Sequence, residues 1–348
     1  IADTLAQVAV ALAKLKSVDV PAALSGVTAE DHAQKIADSL ASGTQVSVLL
    51  GNSAVNAPDA SRIAANAQLV AQLAAGKLGF LTAGANTVGG YLAGAVPSNG
   101  GKTAAAMLAQ PLKAYIVLHA EPLLDADNGA QALAALKAAQ FNVALTSYAS
   151  TAQEWANVML PISPFTETSG TFVNAQGLPQ SFKGTVTPHA QTRPGWKVLR
   201  VLGNVMHLAG FDDETSESVR DSVLSGGVQS RLSNQIQAAV GLSAQSVSGL
   251  QRVTDVPIYR TDAIVRRAEA LQASQASRAP VARMHAQTMA DLGIDLGAKV
   301  RVKSASGQVD LIAEQDNTLA AGAVRISAGF AQTAALGSAF GQLNVERA

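Results

Sequence analysis

The 348-residue chain is long enough to bury a large core and to form two or three domains. Its formal net charge is zero and only 14% of its residues are charged, so the sequence lacks the basic stripe by which proteins bind nucleic acids. It contains no cysteine, which excludes disulfides, thiol catalysis and cysteine-ligated iron–sulfur clusters in this chain. No apolar run approaches the roughly 20 residues that span a bilayer. The start at Ile1 rather than at methionine leads us to expect a fragment of a longer protein.

The first part of the chain alternates between helical and strand patterns. A helix is predicted from Leu5 to Leu15, and Thr28 with Asp31 resembles a capping box at the start of a second helix. Asp127 or Asn128 is predicted to cap a later helix. Short apolar runs typical of buried strands occur at residues 46–50, 78–81, 115–118, 142–146 and 158–160. Strands that alternate with helices of roughly 10–15 residues predict an α/β fold with a doubly wound, mostly parallel sheet covered on both faces.

The middle of the chain carries weaker signals. Residues 161–193 lose the periodicity and are rich in Gly, Thr, Pro and Asn, which predicts an extended loop. A helix is then predicted from Pro194 to Leu208. Residues 225–280 are rich in Ser, Gln and Ala, and we interpret them as a connector that contains a helix after Thr261.

The tail changes to a strand pattern. Val300–Lys303 and Val309–Ile312 flank a turn and predict a hairpin with alternating sides, and Val324–Ile326 adds another strand. This pattern predicts a small β domain built as a partial barrel. The predicted domains are an α/β domain at 1–224, a connector at 225–280 and a small β-barrel-like C-terminal domain at 281–348.

Two segments that resemble ligand-binding motifs lack an essential residue. Gly101-Lys102-Thr103 matches the end of a phosphate-binding P-loop, but Val96 stands where that loop requires glycine, and no strand precedes it. Asp125 and Asp127 resemble the start of a calcium loop, but Leu136 occupies the place of its bidentate acid. Neither segment therefore predicts a nucleotide or calcium site.

The isolated histidines and single carboxylates do not form the pattern of a functional site either. No spacing typical of helical metal ligands connects His32, His119, His189, His207 and His285. Glu121 and Glu167 follow strands, where open α/β sheets place ligands, but a single carboxylate there is as often a cap or turn partner. The sequence therefore predicts no catalytic, cofactor-binding or metal-binding residue. A closed pocket lined by Glu121, Thr146 and Glu167 would instead indicate a free-standing α/β enzyme.

Several segments, in order along the chain, resemble one known family. They are the glycine-rich stretch Thr82–Pro97, the strand Lys113–Leu118 with Glu121-Pro122, the segment Glu154–Pro161, the stretch Phe165–Asn174 with Gly177 and Gln180, and the segment Arg193–Leu199. Together they are similar to the C-terminal part of the largest peripheral-arm subunit of bacterial respiratory complex I, the NADH-quinone oxidoreductase, which belongs to the molybdopterin oxidoreductase superfamily. The tail around Leu292-Gly293-Ile294 and Gly307 resembles the terminal β-barrel domain of molybdopterin oxidoreductases.

This resemblance implies a function within a larger assembly. The chain would be a cofactor-free structural and interaction part of the NADH:quinone oxidoreductase peripheral arm, without activity alone, while clusters elsewhere carry electrons from NADH to quinone. Iron–sulfur clusters would lie in a preceding N-terminal part. The implied partners are other peripheral-arm subunits, and the implied location is the cytoplasmic side of the bacterial inner membrane, without a membrane span. The low charge fits buried partner contacts, although alanine-rich helix surfaces explain it equally well.

Two residues bear on the cofactor that the superfamily commonly binds. Where active molybdoenzymes have Gly-x-Asn-Pro after the strand, this chain has His119-Ala120-Glu121-Pro122. Histidine would crowd the turn that approaches a pyrophosphate, and glutamate would place a negative charge beside an anionic ligand. Both changes favour a chain without a pterin dinucleotide. The alternative is a fragment of an active molybdopterin-dinucleotide-binding oxidoreductase, with pterin contacts in the loops after Leu50, Leu118 and Thr146.

Overall fold

The computed structural model describes residues 1–244 and 248–348. The helices are α1 (Ala2–Lys16), α2 (Asp31–Ser42), α3 (Asn52–Val55), α4 (Ala60–Leu73), α5 (Thr87–Leu92), α6 (Ala104–Ala109), α7 (Pro122–Asp125), α8 (Gly129–Ala138), α9 (Gly195–Val205), α10 (Ser216–Val223), α11 (Glu269–Gln272), α12 (Ala286–Asp291) and α13 (Ala331–Ala334). The strands are β1 (Ser47–Leu50), β2 (Lys77–Phe80), β3 (Ala114–Leu118), β4 (Phe141–Thr146), β5 (Val158–Pro161), β6 (Gly170–Val173), β7 (Pro179–Phe182), β8 (Leu250–Val253), β9 (Ala282–Met284), β10 (Lys299–Lys303), β11 (Gln308–Gln315), β12 (Ala323–Arg325) and β13 (Gly341–Arg347). Across the described ranges, no helix is both long enough and apolar enough to cross a membrane.

One compact unit comprises Ile1–Val96, Gly170–Phe182 and the described part of the segment from Glu214. Helices α1, α2 and α4 pack together around Leu12, Leu24 and Val70, which are almost fully buried. Most of the helix residues buried in this cluster are alanines. Strands β1 and β2 pair in parallel in this unit, and β6 and β7 form an antiparallel hairpin.

The second compact unit comprises Pro97–Ser169, Lys183–Asp213 and the chain from residue 248. Its parallel sheet has the strand order β3-β4-β5. Helix α8 packs on one face through Leu136, which lies in a cluster with Ala144 and Trp155. The side chain of Asn128 accepts the backbone N–H of Gln131 at 3.1 Å and caps α8, as predicted.

The same unit contains a closed barrel with the strand order β10-β11-β9-β12-β8-β13. Alternate residues such as Val300 and Val302 on β10 point into a fully buried core. The sequence predicted a partial barrel; the structure shows that the barrel is closed, because β8 and β13 pair with each other. Strand β8 lies within the predicted connector, where a buried Arg252 interrupts the apolar pattern of a core strand.

The α/β class with parallel sheets is confirmed, whereas two local predictions were wrong. Residues 161–193 were predicted to be a loop, but they contain the β6–β7 hairpin. Its strands have only four residues each, too short for a clear period, and they are held by an edge-to-face contact of Phe172 and Phe182 with ring centroids 4.9 Å apart. The capping box at Thr28 does not form, because α2 begins three residues later with Glu30 as its N-cap.

Candidate functional site

The carboxyl ends of β3 and β4 lie side by side. The two strands pair in parallel up to Leu118 and Leu145. His119 follows β3, and its backbone N–H donates to the carbonyl of Leu145 at 3.0 Å. Its φ of 54° lies in the left-handed region that favours glycine. A backbone conformation suited to glycine therefore carries a histidine side chain here.

Glu121 is buried at this strand end, with 4% of its surface exposed. Its Oε1 accepts hydrogen bonds from the Thr151 hydroxyl at 2.8 Å and from Arg267 at 2.6 Å. Its Oε2 accepts a hydrogen bond from Arg266 at 2.9 Å. Both oxygens of this carboxylate are thus bound by other side chains of the same protein.

The two arginines come from the segment that the sequence suggested was a connector. Arg266 has a side chain that is 5% exposed, and it also pairs with Asp125 and donates from Nε to the Arg260 carbonyl at 2.9 Å. The Arg267 guanidinium lies 4.2 Å from the centre of the Tyr148 ring, which is a cation–π distance. We call the following residues the strand-end network: Glu121, Asp125, Tyr148, Thr151, Arg266 and Arg267.

The charges of the strand-end network balance. Burial by itself raises the pKa of Glu121, but hydrogen bonds from Arg267, Arg266 and Thr151 outweigh it and hold this pKa below its ordinary value of 4.5. Burial likewise lowers the pKa of Arg266, but the hydrogen bonds to Asp125 and Glu121 outweigh it and raise this pKa. Two carboxylates therefore face two guanidinium groups.

This strand end does not fit the pterin dinucleotide that active members of the superfamily bind. A pyrophosphate needs free donors, whereas Arg266 and Arg267 already donate to Glu121, Asp125 and backbone carbonyls. The expectation that Glu121 presents a negative charge to a ligand needs correction. Two arginines of the same chain pair with its carboxylate and neutralise it. Glu121 disfavours an anionic ligand by occupying the donors, not by repelling the ligand.

The glycine-rich loop before α5 has a structural function. The Asn86 side-chain oxygen accepts the backbone N–H of Val173 at 2.8 Å, which ties the loop to β6. A Cβ on Gly89 would lie 2.0 Å from that same oxygen, so only glycine leaves room for this contact. Beside the loop is an open cavity of about 450 Å³, whose lining includes Thr82, Gly84, Phe172, Asn174, Gln180 and Phe182.

Glu167 is not part of the strand-end network. Its Oε2 accepts the backbone N–H of His189 at 3.0 Å and lies 3.4 Å from the Thr192 hydroxyl. It lines a cavity of about 590 Å³ together with Arg193 and Lys197, and neither Glu121 nor Thr146 lines that cavity. The grouping of Glu121, Thr146 and Glu167 that would have indicated a free-standing enzyme is therefore absent from this cavity.

The histidines have separate, local contacts. His285 caps α12, where its Nδ1 accepts the backbone N–H of Gln287 at 3.0 Å. Within residues 1–244 and 248–348, no group of three or more His, Cys, Asp or Glu residues could hold a metal ion. Sequence reasoning singled out Glu121 but missed Arg266 and Arg267, although two adjacent arginines stand out in a chain with so few charges.

Comparison with known proteins supports the resemblance seen in the sequence. Residues 22–205 match the model of the molybdopterin oxidoreductase family, and residues 250–345 match that of the molydopterin dinucleotide binding domain. The mitochondrial NADH-ubiquinone oxidoreductase 78 kDa subunit of Candida albicans is 36% identical over 67 residues, which are 19% of this chain and 9% of that protein. A subunit of the NADH-quinone oxidoreductase of Streptomyces coelicolor is 28% identical over 206 residues, which are 58% of this chain and 24% of that protein.

The matches therefore span less than a quarter of the length of these two relatives. Among solved structures, acetylene hydratase from Pelobacter acetylenicus superposes with a TM-score of 0.49 at 15% identity, over 70% of this chain and 46% of that one. The molybdopterin oxidoreductase model alone matches more than half of the chain. The chain therefore belongs to the molybdopterin oxidoreductase family.

Proposed function

We propose that this chain is a cofactor-free structural and interaction part of the peripheral arm of an NADH:quinone oxidoreductase. In this proposal it has no activity alone, and iron–sulfur clusters in a preceding N-terminal part and elsewhere in the complex carry the electrons. The two curated relatives support the proposal, because both are subunits of such oxidoreductases. The observation that carries it is the strand-end network, in which the donors that an anionic cofactor needs are bound to Glu121 and Asp125.

The proposed partners are other subunits of the arm, on the cytoplasmic side of the bacterial inner membrane. One face of the β3–β4–β5 sheet supports such contacts. Ile116, Phe141 and Val158 lie on that face and are 56%, 48% and 38% exposed. Parallel sheets are normally covered on both faces, so an apolar face of this kind favours burial against another protein.

The alternative function is that of an active molybdopterin-dinucleotide-binding oxidoreductase. The match of residues 250–345 to a dinucleotide-binding domain favours it. In that case the dinucleotide would bind outside the strand-end network, whose donors are occupied.

Purification of the whole native protein distinguishes the two functions. The protein that contains this chain would be isolated from its own cells by a mild affinity step, and its molybdenum content, released pterin and co-purifying proteins would be measured. We expect subunits of an NADH:quinone oxidoreductase and no molybdenum or pterin. Stoichiometric molybdenum with a pterin would overturn the proposal in favour of the alternative, and isolation without any such subunits would overturn the proposed assembly.

A further inference from the structure

We propose that Glu121 is a built-in anion, whose carboxylate takes the place of a small oxyanion ligand between Arg266 and Arg267. The ligand class is a group of the size of formate or phosphate. This inference depends only on contacts within the second compact unit and does not depend on membership of a respiratory complex.

The donors around Glu121 are those of an oxyanion site. Two guanidinium groups and the Thr151 hydroxyl converge on one carboxylate, at distances of 2.6 to 2.9 Å. Arginine is the side chain best suited to carboxylates and phosphates, because its planar fork matches their geometry. The site lies after the carboxyl ends of β3 and β4, where open α/β sheets bind their ligands. The position and the chemistry of the donors both point to an anion.

The two arginines are held in place by contacts that do not involve Glu121. Arg266 pairs with Asp125 and donates to the Arg260 carbonyl. Arg267 stacks on Tyr148 and donates to the Ala263 carbonyl at 2.9 Å.

Thr151, whose hydroxyl is the third donor, is also held by a contact that does not involve Glu121. The backbone carbonyl of Thr151 accepts the indole N–H of Trp155 at 2.9 Å. The donors therefore form a preorganised set, which should persist when the Glu121 side chain is shortened.

Shortening Glu121 to alanine should turn this set of donors into a vacant binding site. Glu121→Ala removes the carboxylate and leaves space of about its volume in a buried position. Arg267 then loses its carboxylate partner, while Arg266 keeps Asp125. A small free oxyanion can supply the missing charge and hydrogen bonds, whereas chloride matches neither the shape nor the two-oxygen geometry of the lost group.

Thermal unfolding of the full chain tests this inference. Wild type, Glu121→Ala and Glu121→Gln would be melted in sodium chloride, formate, acetate and phosphate at equal ionic strength and neutral pH. We expect Glu121→Ala to melt roughly 10 °C below wild type in chloride, because removal of one partner leaves the other charge buried and unpaired. Formate or phosphate should restore several degrees of this loss in Glu121→Ala alone.

Two control variants make the result specific. Glu121→Gln fills the space and should not respond to formate or phosphate. The double variant Glu121→Ala/Arg267→Ala lacks a main donor and should lose the response. Equal melting of Glu121→Ala in chloride and in every oxyanion overturns the inference, and so does an equal gain in wild type. If Glu121→Ala does not fold in chloride, refolding yield replaces the melting temperature: a higher yield in formate or phosphate supports the inference, and equal yields overturn it.

Discussion

The side chain of Asn86 accepts the backbone N–H of Val173, 87 residues further along the chain, at a distance of 2.8 Å. This bond anchors the glycine-rich loop on the β6–β7 hairpin. Gly89 lies directly against the Asn86 amide. Packing therefore explains the Asn-x-x-Gly pattern of this loop, which is one of the patterns in which the sequence resembles the complex I family.

Gly89→Ala should destabilise the protein by about 1–3 kcal/mol, the usual cost of overpacking. The added Cβ would lie 2.0 Å from the Asn86 side-chain oxygen, which cannot move without losing Val173. Urea unfolding measures the change. Gly90→Ala is the matched control, because no atom of the described residues lies within 4 Å of a Cβ added there, and alanine favours a helix over glycine. An equal loss in both variants would contradict the explanation.

Glu121→Gln should destabilise the protein in a pH-dependent way, because the pKa of Glu121 in the folded protein is held below its ordinary value of 4.5. A carboxyl group with a lowered folded pKa stabilises the fold fully above its unfolded pKa, and this contribution is lost as the pH falls through the folded pKa. At neutral pH, removal of one partner of a buried pair costs about 3–5 kcal/mol. The difference in the free energy of unfolding between wild type and variant should therefore be largest at neutral pH and shrink below pH 4.5.

The control for Glu121→Gln is an exposed ion pair in the same unit. Lys137 and Glu154 are 2.8 Å apart, and each side chain is almost half exposed. Glu154→Gln should cost less than about 1 kcal/mol, since solvent screens exposed pairs. Urea titrations at a series of pH values compare the two variants, and a constant difference for Glu121→Gln at every pH would refute the network's role.

Arg252→Met should destabilise the barrel by about 1–3 kcal/mol, the cost of leaving buried acceptors unpaired. Arg252 is 4% exposed, and it donates to the carbonyls of Gly337 at 2.9 Å and Ser338 at 2.6 Å. Arg301→Met on β10 is the control, because Arg301 pairs with Asp310 near the surface, where solvent screens the pair and its loss should cost less than that of Arg252. Chemical unfolding, monitored by a spectroscopic signal that reports on the barrel, compares the free energies of unfolding of the two variants. A larger loss of stability for Arg301→Met than for Arg252→Met would contradict the prediction.

Asn66→Asp should destabilise the first unit at neutral pH more than at acidic pH. Asn66 is fully buried, and its amide group donates to the carbonyls of Ala2 and Gly241, both at 2.9 Å. An ionised carboxylate could donate to neither of these carbonyl oxygens, whereas a protonated carboxyl could donate to one of them. The free energy of unfolding, measured at neutral and at acidic pH, checks whether the destabilisation is larger at neutral pH. Asn66→Ala is the control, because alanine has no titratable side chain and its effect should not depend on pH.

Local patterns predicted the regular parts of the fold well. The apolar run at 115–118 became β3, and the cap at Asn128 forms as predicted, because both depend on neighbours in sequence. The four-residue strands of the β6–β7 hairpin were missed, since each is stabilised by its partner strand and by the contact of Phe172 with Phe182. The closure of the barrel was missed for a related reason: it depends on the pairing of β8 with β13, which are far apart in the sequence.

Composition alone establishes that this chain has no thiol ligand and a balanced charge, and the apolar periodicity predicts helices that alternate with parallel strands. The sequence also singled out Glu121 after β3. The contacts of Glu121 became visible in the folded chain alone, because its partners Arg266 and Arg267 lie 145 and 146 residues away. A carboxylate at a strand end is chemically ambiguous until its neighbours are known. Burial between two guanidinium groups converts it from a candidate ligand contact into an internal counter-charge, since a buried charge must be paired.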